Sequence, residues 1–255
     1  VNTNHNFPKL VQQAHDHNHA ELDAIIHCGL PWMMLDLHPP RIPREQTQSW
    51  IDQWFHDQPS DTNSVETEFT KLSSSSFELD STHSTGWKSR IIFGPEQWCK
   101  DWHLGTHEDE YNLSIKHRND FKFEWQVAED NSIRQWVNTM FVDEELLTVT
   151  AWFMPPGGHL TPHLDRTTQQ YGAKNFYWAI QWDEGNEFGF YRYGNAPIKE
   201  GSVCLINNYG HPHWVINNSN SDRLVLSVGA DLTKISTDII RSWDLMHTLG
   251  RGNNP

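Results

Sequence analysis

Two stretches of the chain carry side chains whose types and spacing could hold a metal ion. The first reads PPGGHLTPHLD over residues 155–165, and it ends in His163-Leu164-Asp165 after a Gly-rich turn. In extended backbone, residues i and i+2 lie on one side. His163 and Asp165 can therefore offer an imidazole nitrogen and a carboxylate oxygen to one point. The second stretch reads EGSVCLINNYGHPHWVINNSNSDRLVL over residues 200–226 and supplies a distant histidine on another strand. Two imidazoles and one carboxylate on one face of a metal leave further positions open, the arrangement suited to a non-haem Fe(II) that must also take small-molecule ligands. His211 and His213 compete for the third place. His213 is favoured because it starts the strand-like run HWVIN and stands ten residues before Arg223. His211 then reads as a rim residue or a group behind the ligands.

Arg223 adds a second function. The segment INNSNSD is a turn, and the spacing predicts that HWVIN and RLVLSV pair as a hairpin, with Arg223 on the strand beside that of His213. A guanidinium inside a barrel mouth is a natural carboxylate clamp, because its planar fork binds both oxygens. A metal triad with a nearby clamp implies a keto-acid cosubstrate. 2-Oxoglutarate fits, its keto-acid end on the metal and its far carboxylate on Arg223.

GGHLTPHLD, then EGSVCLINN, then HWVINNS with Arg223, together resemble the aspartyl/asparaginyl β-hydroxylase group of 2-oxoglutarate/Fe(II)-dependent dioxygenases. The resemblance covers residues 146–232. It implies a double-stranded β-helix, or jelly roll, with iron held by His163, Asp165 and His213, and with Arg223 on the distal carboxylate of 2-oxoglutarate. It also implies that Lys174 stands in for a cosubstrate-binding Arg that the best-known members carry on the strand after the metal motif. The activity implied is hydroxylation of an unactivated C–H bond with O2, 2-oxoglutarate leaving as succinate and CO2. Asp165 gives a complete triad where some members of the group have Gly, and it argues against halogenation, which needs that metal position for halide.

Blander readings compete. His-x-Asp alone is a common turn pattern. A jelly-roll metal-binding module without oxygenase turnover would keep the β core but has no need of Arg223, and an Fe(II) enzyme that uses no keto acid is a third reading. His159 and His163 have the spacing of a zinc helix, but Gly157, Gly158 and Pro162 exclude a helix there, and His159 reads as a pocket wall. The four-residue repeat His15, His19, Asp23, His27 reads as a solvated helix face, and His103 and His107 as surface residues. Trp152, Tyr177, Trp178 and Trp182 lie on or near strands entering the pocket, but alternation alone leaves their inward face open. Asn207 and Asn208 read as strand-end residues. The odd number of cysteines, Cys28, Cys99 and Cys204, forms no disulfide framework and reads as small buried apolar groups in a reducing compartment.

These residues need a scaffold, and the composition says what kind. With 255 residues, 13 Trp and 12 Phe, the chain can bury a sizeable core. Thirty-three acids against 19 bases give a net charge of −14, the wrong sign for wrapping nucleic acid or an anionic membrane surface. No run of about 18 apolar residues is present, and VNTNHNFPKL lacks the blocks of a signal peptide. A cytoplasmic enzyme acting on a small molecule or a peptide is expected, with its oligomeric state open. A helical pattern spans residues 9–28, the prolines keep residues 38–46 irregular, and a short amphipathic helix carries Trp50, Trp54 and Phe55 over 47–57. Residues 58–86 read as a polar loop. From residue 87, short aromatic and β-branched runs separated by turn residues predict an antiparallel core: 146–154, 175–182, 188–193, 202–208, 213–217 and 223–232. Ile235, Ile239, Ile240, Trp243 and Met246 predict a closing helix. The expected protein is mainly β, a cupin-like jelly roll over residues 87–255 flanked by helices, with residues 1–86 packed on it as part of one domain.

Overall fold

The computed structural model describes residues 31–56, 86–96, 118–144, 146–163, 173–190, 193–207, 211 and 213–231. The expected helices over 9–28 and after 232, and the loop over 58–85, fall outside the described residues.

Six predicted runs become strands: β4 (Leu146–Met154), β6 (Ala173–Gln181), β7 (Asn186–Phe190), β9 (Val203–Ile206), β10 (His213–Asn217) and β11 (Arg223–Asp231). Five more join them: β1 (Trp32–Leu35), β2 (Lys88–Pro95), β3 (Phe123–Trp125), β5 (His159–His163) and the two-residue β8 (Gly194–Asn195). They form a seven-stranded sheet, ordered β1-β9-β6-β11-β4-β2-β3, and a four-stranded sheet, ordered β5-β10-β7-β8. Along the chain, β4, β6, β9 and β11 lie in the large sheet, while β5, β7, β8 and β10 lie in the small one. This alternation between two facing antiparallel sheets makes the core a jelly roll.

The large sheet is buried on both faces, which is why β11 reads as an almost unbroken apolar run. Leu224, Leu226 and Val228 of β11 join Phe176, Trp178 and Ile180 of β6 on the outer face. Val225, Tyr177 and Ala179 face inward, where they meet Phe188, Phe190 and Val215 of the small sheet.

Two helices cover the outer face. α1 (Arg44–Phe55) buries Thr47, Trp50, Ile51, Trp54 and Phe55, a stripe at helical spacing. It begins three residues earlier than the sequence suggests, because Pro43 occupies the N-cap position, where a missing N–H costs nothing. The Pro43 carbonyl accepts the Thr47 N–H at 3.0 Å. α2 (Ser132–Met140) is capped by Asn131, whose side chain accepts from Ile133 N at 2.9 Å. Phe55 stacks on Phe153 at 5.3 Å, and Trp136 meets Trp178 at 4.5 Å. Each such ring contributes about 1.5–3 kcal/mol by leaving water. β1 and α1 thus belong to the same sheet and core as the strands after residue 87.

The predicted β10–β11 hairpin does not form. β10 pairs with β5 and β7, whereas β11 pairs with β4 and β6. The chain between them crosses from one sheet to the other, and the buried side chain of Asn217 holds the crossing. Its Nδ2 donates to the carbonyls of Met154 and Ser221, each at 2.9 Å, and its Oδ1 accepts from Ser219 N at 3.0 Å. Its backbone N donates to Gly158 O, and its carbonyl accepts from Gly157 N. The β10–β11 corner is therefore tied to the β4–β5 corner, which sets Arg223 opposite Met154. Among the described residues, no helix is long and apolar enough to cross a membrane.

Candidate functional site

The two candidate metal histidines come together through backbone register. β5 and β10 are antiparallel, with His163 paired to His213, Leu160 to Val215 and His159 to Ile216. Two residues lie between Leu160 and His163, but only one lies between Val215 and His213. The extra residue is accommodated by a register shift, in a segment containing Pro162, which has no N–H to give a ladder. Without the bulge, strict alternation would set positions 160 and 163 on opposite faces. With it, His163 takes the position across from His213, and opposed antiparallel positions lie about 5 Å apart at Cα. Asp165, two residues on, lies outside the described residues. Among the described residues, no three His, Cys, Asp or Glu side chains converge.

His213 is 2% exposed and packs against Phe188 and Phe190, with ring centroids 5.4 and 5.8 Å away. Its Nδ1 lies 3.2 Å from the carbonyl oxygen of His211. A carbonyl can only accept, so Nδ1 carries the hydrogen and Nε2 carries the lone pair in the neutral ring. His211 is also buried, with its ring edge-on to Tyr193 at 5.1 Å. Of the two competing histidines, His213 is the one in register with His163, and His211 contributes its backbone to the His213 imidazole. His159 is buried as well.

Arg223 starts β11 and is 2% exposed. Trp182 lies across its guanidinium at 4.5 Å from the ring centroid, Nη1 approaches the Met154 sulfur at 3.8 Å, and Nη2 donates to the Tyr177 hydroxyl. Its Nε has no hydrogen-bond partner, and no carboxylate among the described residues pairs with it. Burial therefore lowers its pKa below the ordinary value. Among the described residues its one oxygen partner is the Tyr177 hydroxyl, and the planar fork of a guanidinium suits the two oxygens of a carboxylate. Tyr177 complements it. Burial pushes its phenol up to about 12, so the hydroxyl stays protonated. Its oxygen accepts from Arg223.

Trp182 reaches this place through an irregularity. Tyr177 and Ala179 face inward, so strict alternation would turn Trp182 outward to the helices. The register of β6 against β11 shifts between Leu224 and Val225, and Trp182 joins the inner cluster. Of the four aromatics singled out in the sequence, Tyr177 and Trp182 touch Arg223, Trp178 faces α2, and Trp152 packs on Trp87 at 5.5 Å. The sequence reading missed Met154, Phe188 and Phe190; the i, i+2 spacing of the two phenylalanines was the available signal.

Lys174 sits on β6 across from Ala230. Ala230 belongs to the outer cluster. Cys204 is fully buried, and burial drives its thiol pKa well up, so it behaves as a small apolar group. Cys28 and Cys99 lie outside the described residues, as do His15, His19, Asp23, His27, His103, His107 and Asn208. Asn207 is buried just after β9 and donates its N–H to the Pro31 carbonyl.

No protein-family model matches the chain, and no curated protein matches it. Similar solved structures include a 2OG-Fe(II) oxygenase family oxidoreductase from Burkholderia pseudomallei. It is 13% identical over 87% of this chain and 90% of that one, with a TM-score of 0.40. A predicted oxalate decarboxylase from Thermotoga maritima is 23% identical over 34% of this chain and 68% of that one, with a TM-score of 0.27. A Cupin 2 conserved barrel domain protein from Salinispora arenicola is 17% identical over 37% of this chain and 71% of that one, with a TM-score of 0.26.

Proposed function

We propose that the chain is an Fe(II)- and 2-oxoglutarate-dependent dioxygenase that hydroxylates an unactivated C–H bond of a small polar substrate, an amino acid or a peptide side chain. The observation that carries this reading is Arg223, a guanidinium sealed in the jelly-roll interior that pairs with no carboxylate among the described residues, in the same cluster of rings that packs His213. A module that binds only a metal has no use for that buried charge.

The residues fit the implied groups. His213, its Nδ1–H spent on the His211 carbonyl, would offer Nε2 as a metal donor. His163, paired with it by register, and Asp165 would complete two imidazoles and a carboxylate around Fe(II). Arg223, beside the Tyr177 hydroxyl, would hold the far carboxylate of 2-oxoglutarate. Bound Fe(II), with 2-oxoglutarate and O2, supplies the oxidising power for C–H hydroxylation, with succinate and CO2 as co-products. The chain's own residues orient and exclude. The Phe188–Phe190 stack and Trp182 line a dry interior that strengthens the Arg223–carboxylate attraction.

An anaerobic titration tests this. Fe(II) and 2-oxoglutarate together should give a weak visible charge-transfer band, and Arg223→Ala should weaken cosubstrate binding. A wild-type protein that binds Fe(II) but gives no band and no succinate under O2 is instead a metal-binding module, and the proposal falls.

A further inference from the structure

The two groups assigned to the ends of the cosubstrate are bridged by one side chain. Phe188 is 4% exposed and faces the interior from β7. Its ring lies 5.4 Å from the His213 ring and 5.3 Å from the Tyr177 ring, which it meets edge to face. Tyr177 in turn bonds Arg223. Phe188 thus touches the imidazole at one end and the partner of the guanidinium at the other. It is also fixed in place. It stacks on Phe190 at 4.9 Å with ring planes 7° apart, and its backbone is paired to Val215 of β10. A ring held on three sides cannot swing away to admit a longer ligand.

We propose that Phe188 sets the length of the keto diacid that the site accepts, as the rigid floor between His213 and Arg223. This rests on the function proposed above and goes beyond it, since it names the residue that discriminates 2-oxoglutarate from the homologue with one more methylene, 2-oxoadipate. The clamp fixes the distal carboxylate and the metal fixes the keto-acid end. An added methylene must buckle out of the line between them, and Phe188 occupies the space it would enter. One methylene in an apolar pocket changes selectivity roughly 10- to 200-fold.

The experiment measures dissociation constants of 2-oxoglutarate and 2-oxoadipate by calorimetry, with Mn(II) as a metal that binds without turnover, alongside succinate and glutarate release under Fe(II) and O2. Wild type, Phe188→Leu and Phe188→Ala are compared. Leu retains most of the apolar volume and guards against failure of the Ala variant to fold, checked by circular dichroism. The expected result is a preference for 2-oxoglutarate in the wild type that falls about tenfold or more in both binding and turnover in each folded variant, through tighter use of 2-oxoadipate. A ratio within twofold of wild type in a folded variant overturns the role of Phe188 and leaves the dioxygenase reading standing. A wild type that binds neither diacid overturns both.

Discussion

The Nδ1 of His213 and the carbonyl oxygen of His211 are 3.2 Å apart, so the backbone of one histidine fixes the tautomer of the other. The contact separates two residues that the sequence alone leaves in competition. His213→Ala removes the donor nitrogen and should abolish tight Fe(II) binding, a loss of at least about 100-fold. His211→Ala keeps the carbonyl and should cost no more than about 10-fold, the low end of the range for groups that orient a metal ligand. Anaerobic metal titration of both variants decides it. If His211→Ala loses the metal and His213→Ala keeps it, the assignment is reversed.

Arg223 should separate stability from function. Its guanidinium is buried with Nε unpartnered, so the folded apoprotein bears a desolvation cost. Replacing even a whole buried ion pair by apolar side chains of similar volume is often neutral or stabilising, by about 1–4 kcal/mol, and a buried charge with no ionic partner among the described residues has less Coulombic attraction to lose. Arg223→Met should therefore raise the urea midpoint without cosubstrate while eliminating 2-oxoglutarate binding. Tyr177→Phe should do the reverse to stability, because it strips the guanidinium of its one oxygen partner among the described residues, at a cost of about 1–3 kcal/mol. An Arg223→Met variant clearly less stable than wild type would mean that the charge is satisfied in the apoprotein.

How far the sequence reveals this arrangement depends on what each element's pattern encodes. Strands β4 and β10 coincide with their predicted runs, because both alternate or bury apolar residues between clear turn residues. β3 is three residues long, and β1 mixes partly buried and exposed positions, so neither shows a period. The pairing of His163 with His213 depends on a bulge beside Pro162, and the inward turn of Trp182 on a register shift. Both are tertiary facts that local alternation misreports. The failed hairpin has the same origin. The polar turn after Asn217 looks the same whether the chain doubles back within a sheet or crosses to the other one, and the choice is made by Met154, Gly157 and Gly158, some sixty residues earlier. Arg223 stands out in the sequence by its spacing from His213, but its burial against Trp182, Met154 and Tyr177 is a property of the fold alone.

Two aspartates at the same end of the barrel should respond to pH with opposite sign. The hydrogen bond from Arg44, then that from Ser221, holds the Asp183 carboxyl below its ordinary value of 3.8. A carboxyl lowered in the folded state stabilises above its unfolded pKa, and that gain is lost as pH falls through the folded pKa. Asp183→Asn should thus lower stability at pH 7, by no more than about 0.2–1 kcal/mol because the ion pair is partly exposed, and less in high salt. Asp222 is pushed upward, by burial and then by the charge of Asp52. A raised carboxyl stabilises below its unfolded pKa and loses that contribution as pH rises through the folded value. Asp222→Asn should therefore raise the melting temperature at pH 7, with the advantage vanishing below about pH 3.8. Melting curves of the two variants across pH 3 to 7 check both signs.

Gly189 and Trp214 are cross-strand partners in the small sheet, and the indole lies directly over the glycine. A Cβ at position 189 would stand 2.0 Å from Trp214 Cε2, far inside contact distance. The indole is 2% exposed and has little room to retreat. Gly189→Ala should destabilise by about 1–3 kcal/mol, the usual range for overpacking, or somewhat more. Because Trp214 follows His213 on β10, the displaced strand should also weaken Fe(II) binding. Trp214→Leu removes the clashing ring at the cost of a cavity, so the double variant should lose less stability than the sum of the two single losses, a coupling of about 0.5–3 kcal/mol. Urea denaturation of the four proteins measures it. Strict additivity would show that the Gly189→Ala cost comes from another contact, and that the glycine is not there to seat the tryptophan beside the candidate metal ligand.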